Sequence, residues 1–365
     1  MNEQNQAGPV DFVIAWVDGS DPAWRARMAE WKRKAMSELD AEAGALDGGA
    51  NGDCRYRDFG ILRHWFRAVE ECAPWVNRVF LVTDGQKPDW LDETNPKLRL
   101  VDHRDYIPGK WLPTFNAMPI ELNLHRIPDL SERFVFFNDD IFLLRPVRPD
   151  FWFRRGLPRL PANLGYWRKA GFNNAARLGM NDYALLHRTL DVHALLWRNF
   201  PKWISPLRLG PLRAAANFVR LVVNGTLPVS AFGHLASPML KSTLAEIWET
   251  CPRELSATSS RRFRADDQVN QWLVLAWQLA KGRFEPVADG PRRGISVSLC
   301  AANMPAVEAA VSGRRFPQIC LNDNVGLEDP ERCGAGLRRL FDSAFPKPSS
   351  FEKRAAAAGG SGDSR

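Results

Sequence analysis

Between Phe134 and Leu144 the chain reads Phe-Val-Phe-Phe-Asn-Asp-Asp-Ile-Phe-Leu-Leu. Apolar residues run into Asn138-Asp139-Asp140 and resume directly after them. A run so rich in Phe and Val is expected as a strand buried on both faces. Ionised carboxylates are expensive to bury without a partner, so two at the end of a buried strand need a purpose. One purpose is a turn, since Asn and Asp favour turns and could join two hairpin strands. The other is a divalent cation holding a phosphate-bearing donor, because hard ions such as Mg²⁺ take carboxylate oxygens together with substrate phosphates.

The flanking segments place this stretch in an α/β fold. Val10–Val17 reads as a first strand that breaks at Asp18-Gly19-Ser20-Asp21-Pro22, and a charged amphipathic helix follows over 23–39. Loops beyond the carboxyl ends of strands are where α/β sheets bind ligands, which makes Asp18 and Asp21 candidates. Asp21 before Pro22 also fits a helix cap. Arg55-Tyr56-Arg57-Asp58 leads into a helical stretch through Cys72. Its arginines suit phosphate oxygens, with an ion pair to Asp58 as the alternative. Val79–Gly85 and Leu98–His103 are further strands, so the order predicts a largely parallel sheet with right-handed crossovers.

Thr114 and Asn116 precede an expected helix to Ile127 as caps or as sugar ligands. From 156 to 230 scattered Arg, Trp and Pro replace the strand rhythm, and this reads as an inserted, mainly helical lid or acceptor region. Within it, Leu207–Val223 is basic and apolar, with Arg208, Arg213 and Arg220. It is expected to pack on its own core, with docking on an anionic membrane as the alternative. Helices are expected over 233–251, opened by His234, and over 261–279, with Arg262, Arg264 and Asp267 near its start. Cys320-Leu321-Asn322-Asp323-Asn324 ends a short apolar run in a second oxygen-rich turn. Segment 8–155 is thus read as the first part of an α/β core and 231–345 as its completion, with 346–365 a disordered tail.

A net charge of +7 suits anionic partners, and no recognition-helix or basic-aromatic pattern points to nucleic acid. The six cysteines show neither CxxC pairing nor zinc-ligand spacing. No secretory signal or membrane-length apolar run is visible, so a cytoplasmic protein is expected, with peripheral membrane contact as an option.

Taken in order, these segments resemble the four conserved regions of the Stealth family of sugar-1-phosphate transferases. The residues that carry the likeness are Ala15–Pro22, the span Arg55–Phe153 with Leu112–Asn116 and Asn138–Asp140, His234–Trp248 continuing over Arg262–Arg264, and Cys320–Asn324. Gln268 stands where the family commonly has an acid, which leaves Asp267 as its substitute. The resemblance implies a GT-A/Rossmann-like α/β core and transfer of a sugar 1-phosphate from a UDP-sugar to a glycan or polysaccharide hydroxyl, releasing UMP. It implies Mg²⁺ or Mn²⁺ on Asp139, Asp140, Asn322 and Asp323, diphosphate binding by Arg264 with Arg57 or Arg262, and His234 or a carboxylate as base. Metal-dependent transfer of the sugar alone, or glycan binding without catalysis, are the alternatives.

Overall fold

The structure is a computed structural model that describes residues 8–38, 51–164, 174–224, 232–323 and 326–354. Most of the expected 41–52 loop, parts of the insert, Asn324 and the end of the tail lie outside those residues.

Strands β1 (Val10–Ala15), β2 (Val79–Thr83), β3 (Leu98–Asp102) and β4 (Arg133–Asn138) form the parallel part of a sheet ordered β3-β2-β1-β4. The later strands are β5 (Ile141–Leu143), β6 (Phe153–Arg154), β7 (Leu157–Pro161), β8 (Ser237–Leu240), β9 (Glu285–Val287), β10 (Ile295–Ser298) and β11 (Gln318–Asn322). β8 closes the main sheet antiparallel to β4. β10-β11-β5 and β6-β7-β9 make two smaller sheets. The protein is therefore mixed α/β with a parallel-rich central sheet, as expected.

Helices α1 (Pro22–Glu38), α2 (Leu62–Cys72) and α3 (Ala117–Leu122) belong to the first half. The insert carries α4 (Asn174–Thr189), α5 (Val192–Arg198), α6 (Phe200–Trp203), α7 (Pro206–Leu209) and α8 (Pro211–Asn224). Then come α9 (Lys241–Thr250), α10 (Pro252–Ser260), α11 (Gln271–Ala280), α12 (Met304–Ser312) and α13 (Pro330–Ala344).

Side chains alternate across a strand, and here both faces are covered. Phe12, Ile14, Val135 and Phe137 enter one apolar cluster, while Val13, Phe134 and Phe136 enter the other. That explains why β1 and β4 lack polar alternation. Asp11 is the exception, fully buried at the start of β1, where it accepts from Asn77 Nδ2 at 2.7 Å, Arg78 N at 3.1 Å and Ser131 N at 2.8 Å.

Several expected elements differ. The Phe134–Leu144 run is two strands in two sheets, because β4 pairs with β1 and β8 whereas β5 pairs with β11. Asp139-Asp140 is therefore a crossing between sheets and no hairpin turn. The helix expected over 233–251 begins as β8, an edge strand that tolerates Pro238 because its missing N–H faces no ladder. The helix expected over 261–279 starts only at Gln271, capped by the Asn270 side chain on Trp272 N at 2.8 Å. The helix expected to reach Ile127 ends at Leu122, and a tight 3₁₀ turn follows.

The first residues of the expected disordered tail pack against the core. Phe351 is 2% exposed, with its ring centroid 5.1 Å from that of Phe66. Arg67 grips both Glu352 oxygens at 2.8 Å. One aromatic anchor and one forked ion pair are enough to order a segment of otherwise polar composition.

His103, just beyond β3, is buried, and burial pushes its imidazole down to about 4. The unfolded chain takes up that proton near pH 6.5, whereas the folded chain refuses it until about pH 4. This contribution to stability is thus whole above the upper limit and is lost as pH falls through the window. We expect His103→Gln to flatten the fall in stability between pH 7 and pH 5 by up to about 1.4 kcal/mol per pH unit, and the fall in Tm with it. Thermal melts of both proteins across that range check this, and identical slopes would refute it.

Candidate active site

A cavity of about 470 Å³ opens at the carboxyl edge of the parallel strands. Its walls come from the segments following each of them: Trp16 and Val17 after β1, Asp84 after β2, His103 after β3, and Asn138-Asp139-Asp140 after β4. Leu321-Asn322-Asp323, at the end of β11, closes the same rim. The two oxygen-rich turns meet because β5 pairs with β11, and the Leu321 N–H donates to the Asp140 carbonyl at 2.8 Å.

Carboxylates crowd one side. Burial, then Asp140, then Asp58 push the Asp139 carboxyl well above the usual range. Asp140 Oδ2 accepts from Cys320 Sγ at 3.3 Å, while its buried Oδ1 has no hydrogen-bond partner among the described residues. A divalent cation answers both conditions: it relieves like-charge crowding and supplies a partner for the orphaned oxygen. Asp139, Asp140 and Asn322 are the oxygen donors on hand. Asp323 lies beside them, with one oxygen, Oδ2, accepting from Arg57 Nη1 at 2.7 Å. The described residues thus include donors for a divalent metal, of which Asp140, His234 and Cys320 draw three ligand atoms within 4.8 Å of one another.

His234 sits on the segment leading into β8. Its Nε2 meets Asn138 Nδ2 at 2.7 Å, and its Nδ1 lies 3.7 Å from Asp140 Oδ2 and 3.4 Å from Cys320 Sγ. The Asn138 amide nitrogen can only donate, so Nε2 accepts in this arrangement and Nδ1 carries the proton toward Asp140.

A basic group stands against this acidic wall. Arg264 lies on the irregular segment before α11, held by its backbone alone: Asn51 Nδ2 donates to its carbonyl at 3.0 Å, and its N–H donates to Asn51 Oδ1 at 2.9 Å. Neighbouring peptides are fixed by Asn116 Nδ2, which donates to the Arg261 and Phe263 carbonyls at 3.0 and 3.1 Å. Gln268 Oε1 takes the Ala265 N–H at 2.8 Å. The Arg264 guanidinium lines the cavity and forms no hydrogen bond or ion pair with the described residues. Burial first and Arg55 second pull its pKa down, with Glu121 and Asp139 acting the other way. An arginine stays protonated, and a desolvated cation with no hydrogen-bonded counter-ion is suited to holding an anion.

Not every candidate lies here. Thr114, Asn116 and Arg57 line the cavity, although Asn116 is spent on backbone groups. Asp18 and Asp21 lie outside the lining. Asp18 folds onto Ser20, and Asp21 caps α1 through Ala23 N at 2.8 Å while taking Gln86 Nε2 at 2.9 Å. Arg262 faces away, stacked 4.2 Å from the Trp31 ring centroid. Asp267 is exposed and pairs with Arg261 at 2.6 Å. It does not replace the acid that Gln268 displaced, since buried Gln268 itself shapes the Arg264 segment.

Cys320, Glu121 and Asn51 escaped sequence reasoning as site residues. Glu121 is buried in the wall, its carboxyl pushed up by burial, with Oε2 accepting from Gln271 N at 3.2 Å. No local pattern marks these residues, because each acts across more than 80 positions of sequence.

Fold and site define a class: an α/β transferase whose cleft suits a phosphate-bearing substrate. The chain belongs to the Stealth family. Models of its conserved regions one to four match residues 8–35, 55–159, 233–278 and 310–359. It is 36% identical over 351 residues to the receptor polysaccharide phosphotransferase WefC of Streptococcus gordonii, covering 94% of this chain and 98% of that one. It is 35% identical to the capsular polysaccharide phosphotransferase WcwK of Streptococcus pneumoniae, covering 94% and 99%. The exopolysaccharide phosphotransferase cps2G of Lactiplantibacillus plantarum is 33% identical, covering 95% and 98%. Among solved structures, the galactosyltransferase LgtC, in complex with donor and acceptor sugar analogs, is similar at 11% identity with a TM-score of 0.37, covering 91% of this chain and 95% of that one.

The anion site can be tested directly. Calorimetric titration should show inorganic pyrophosphate binding to the protein and about 10–100-fold weaker binding to Arg264→Lys, the worth of a charge-assisted fork. Asn51→Ala should weaken binding in the same direction. Unchanged affinity in both folded variants would remove Arg264 from the site.

Proposed function

We propose that this protein transfers a sugar 1-phosphate from a UDP-sugar to a hydroxyl of a glycan or polysaccharide acceptor, forming a phosphodiester and releasing UMP, in capsule or exopolysaccharide synthesis. One observation carries the reading: a desolvated, uncompensated arginine shares a cavity with a crowded carboxylate pair. A diphosphate with its cation satisfies both at once, and the relatives named polysaccharide phosphotransferases agree with it.

In this reading Arg264 holds non-bridging oxygens of the phosphate under attack. Phosphoryl transfer asks mainly for in-line positioning and neutralised charge. Mg²⁺ or Mn²⁺, when bound, would add Lewis-acid neutralisation of the diphosphate, with Asp139, Asp140 and Asn322 as its oxygen donors. Arg57 and Asp323 brace each other and shape the rim. An acceptor hydroxyl that takes the place of Asn138 at His234 Nε2 gives its proton to the ring there. Asp140 Oδ2 stands 3.7 Å from Nδ1 on the other side of the ring. The hydroxyl oxygen bonds to phosphorus as the bridging P–O bond to UMP breaks, and the leaving electron pair departs with UMP.

The nucleotide product decides the reaction class. Incubation with a UDP-sugar panel, Mg²⁺ and acceptor should yield UMP, whereas UDP would mean transfer of the sugar alone. His234→Ala should lower turnover by roughly 10²–10⁴ with little change in donor affinity. A folded His234→Ala protein with full turnover would exclude the ring as base.

The acceptor side is proposed to face an anionic membrane. No helix among the described residues is long and apolar enough to cross one. All the exposed large apolar side chains among those residues nevertheless fall between Met180 and Val223. α8 packs one face inward through Ala214, Asn217 and Leu221 and turns Leu212, Val219, Val222 and Val223 to solvent. It contains no acidic residue, and its charges are Arg213 and Arg220. Arg213 and Arg220 share one edge of the helix and donate to Asn163 Oδ1 and the Leu164 carbonyl, while the outward apolar face is the feature of a helix lying in a membrane interface. The helix packs one face on the core, as expected, and leaves its other face to solvent. Leu178 of α4 lines the cavity, so the insert borders the site. Sedimentation should show binding to anionic vesicles that weakens in high salt, and Leu212→Glu with Val222→Glu should abolish it. Vesicle binding unaffected by those changes would overturn this orientation.

A further inference from the structure

We propose that Asp140, His234 and Cys320 form a tetrahedral site for a borderline-soft divalent cation, of which Zn²⁺ is the type. The hard-cation reading uses oxygen donors and shares only Asp140 with this set, so neither assignment depends on the other.

The geometry is that of one face of a zinc tetrahedron. Zn–S bonds near 2.3 Å and Zn–N or Zn–O bonds near 2.0–2.2 Å require donor atoms about 3.3–3.6 Å apart. Cys320 Sγ lies 3.3 Å from Asp140 Oδ2 and 3.4 Å from His234 Nδ1, and those two stand 3.7 Å from each other. The third separation closes with a small rotation of the carboxylate. Three protein ligands and one position open to the cavity are the pattern of zinc sites that accept a further ligand.

The surroundings fit as well. Asn138 fixes the ring from the far side at Nε2, and its amide can turn to present oxygen to an Nε2–H when Nδ1 binds metal. Metal-bound histidines characteristically have such a partner. Cys320 is fully buried on β11, so its sulfur cannot wander, and a thiol is a poor ligand for Mg²⁺. Its proton leaves on binding: the S–H bond breaks, the sulfur keeps the electron pair for the metal, and the proton goes to solvent. Asp140 and His234 are both withdrawn from phosphoryl transfer when the site is filled, so Zn²⁺ opposes the hard ion.

The test needs no substrate. Metal-free protein titrated with Co²⁺ should develop a thiolate-to-cobalt charge-transfer absorption with tetrahedral ligand-field bands, and Mg²⁺ should not remove them. Cys320→Ser should lose the charge-transfer absorption, and its Zn²⁺ affinity should fall by at least the ~10–100-fold that loss of an outer partner costs. Should that variant fail to fold, the wild-type protein still decides. Calorimetry in buffers of different ionisation enthalpy should count about one proton released per Zn²⁺ bound near pH 7. Cobalt binding without the thiolate band, or zinc binding without proton release, would overturn the site. Failure of UMP production would not touch it, since neither readout involves turnover.

Discussion

The hydrogen bond from Leu321 N–H to the Asp140 carbonyl, 2.8 Å long, is the joint on which the site depends. β4 ends in the parallel sheet, and β5 begins two residues later in a different sheet. The pairing of β5 with β11 draws the last strand among the described residues to that break. Without it, Asn322 and Asp323 would lie far from Asp139 and Asp140. With it, groups separated by about half the chain share one rim.

Desolvation does the rest. The cleft is walled by buried aromatic and aliphatic side chains, so charge at its lining is poorly screened. Asp139 answers by an elevated pKa, Glu121 likewise, and Arg264 by remaining an uncompensated cation. None of these states suits a merely structural role, where buried charges are paired as Arg67 is with Glu352. The contrast between those two arginines separates scaffold from site. One is saturated by protein, while the other is oriented through its backbone and lines the cavity.

Polar backbone traction is the recurring device. Asn51, Asn116 and Gln268 each use a neutral amide to hold peptide groups around Arg264, a segment with neither helix nor strand of its own. Neutral amides fix geometry without adding charge beside a guanidinium. An acid in place of Gln268 would bring a further carboxylate near it, beyond Glu121 and Asp139, so the glutamine is consistent with a positioning role while Asp267 sits at the surface.

The sequence by itself determined the parallel-rich α/β core, because strands covered on both faces must be largely apolar, and β1 and β4 are so apart from Asp11 and from Arg133 and Asn138 at the ends of β4. It also determined that Asp139 and Asp140 end a buried strand, and that Asp21 before Pro22 fits a helix cap. Where local chemistry was ambiguous, tertiary structure decided. Ser237–Leu240 became a strand because β4 offered an open edge, and Arg261–Asn270 stayed irregular because the distant amides of Asn51 and Asn116 claimed its backbone. Spacing gave no hint of the Asp140–His234–Cys320 cluster, whose members lie 94 and 86 residues apart along the chain. Periodicity reports which face of an element is buried. It cannot report which two ends of the chain a second sheet will bring together, since strand pairing over such separations leaves no local mark.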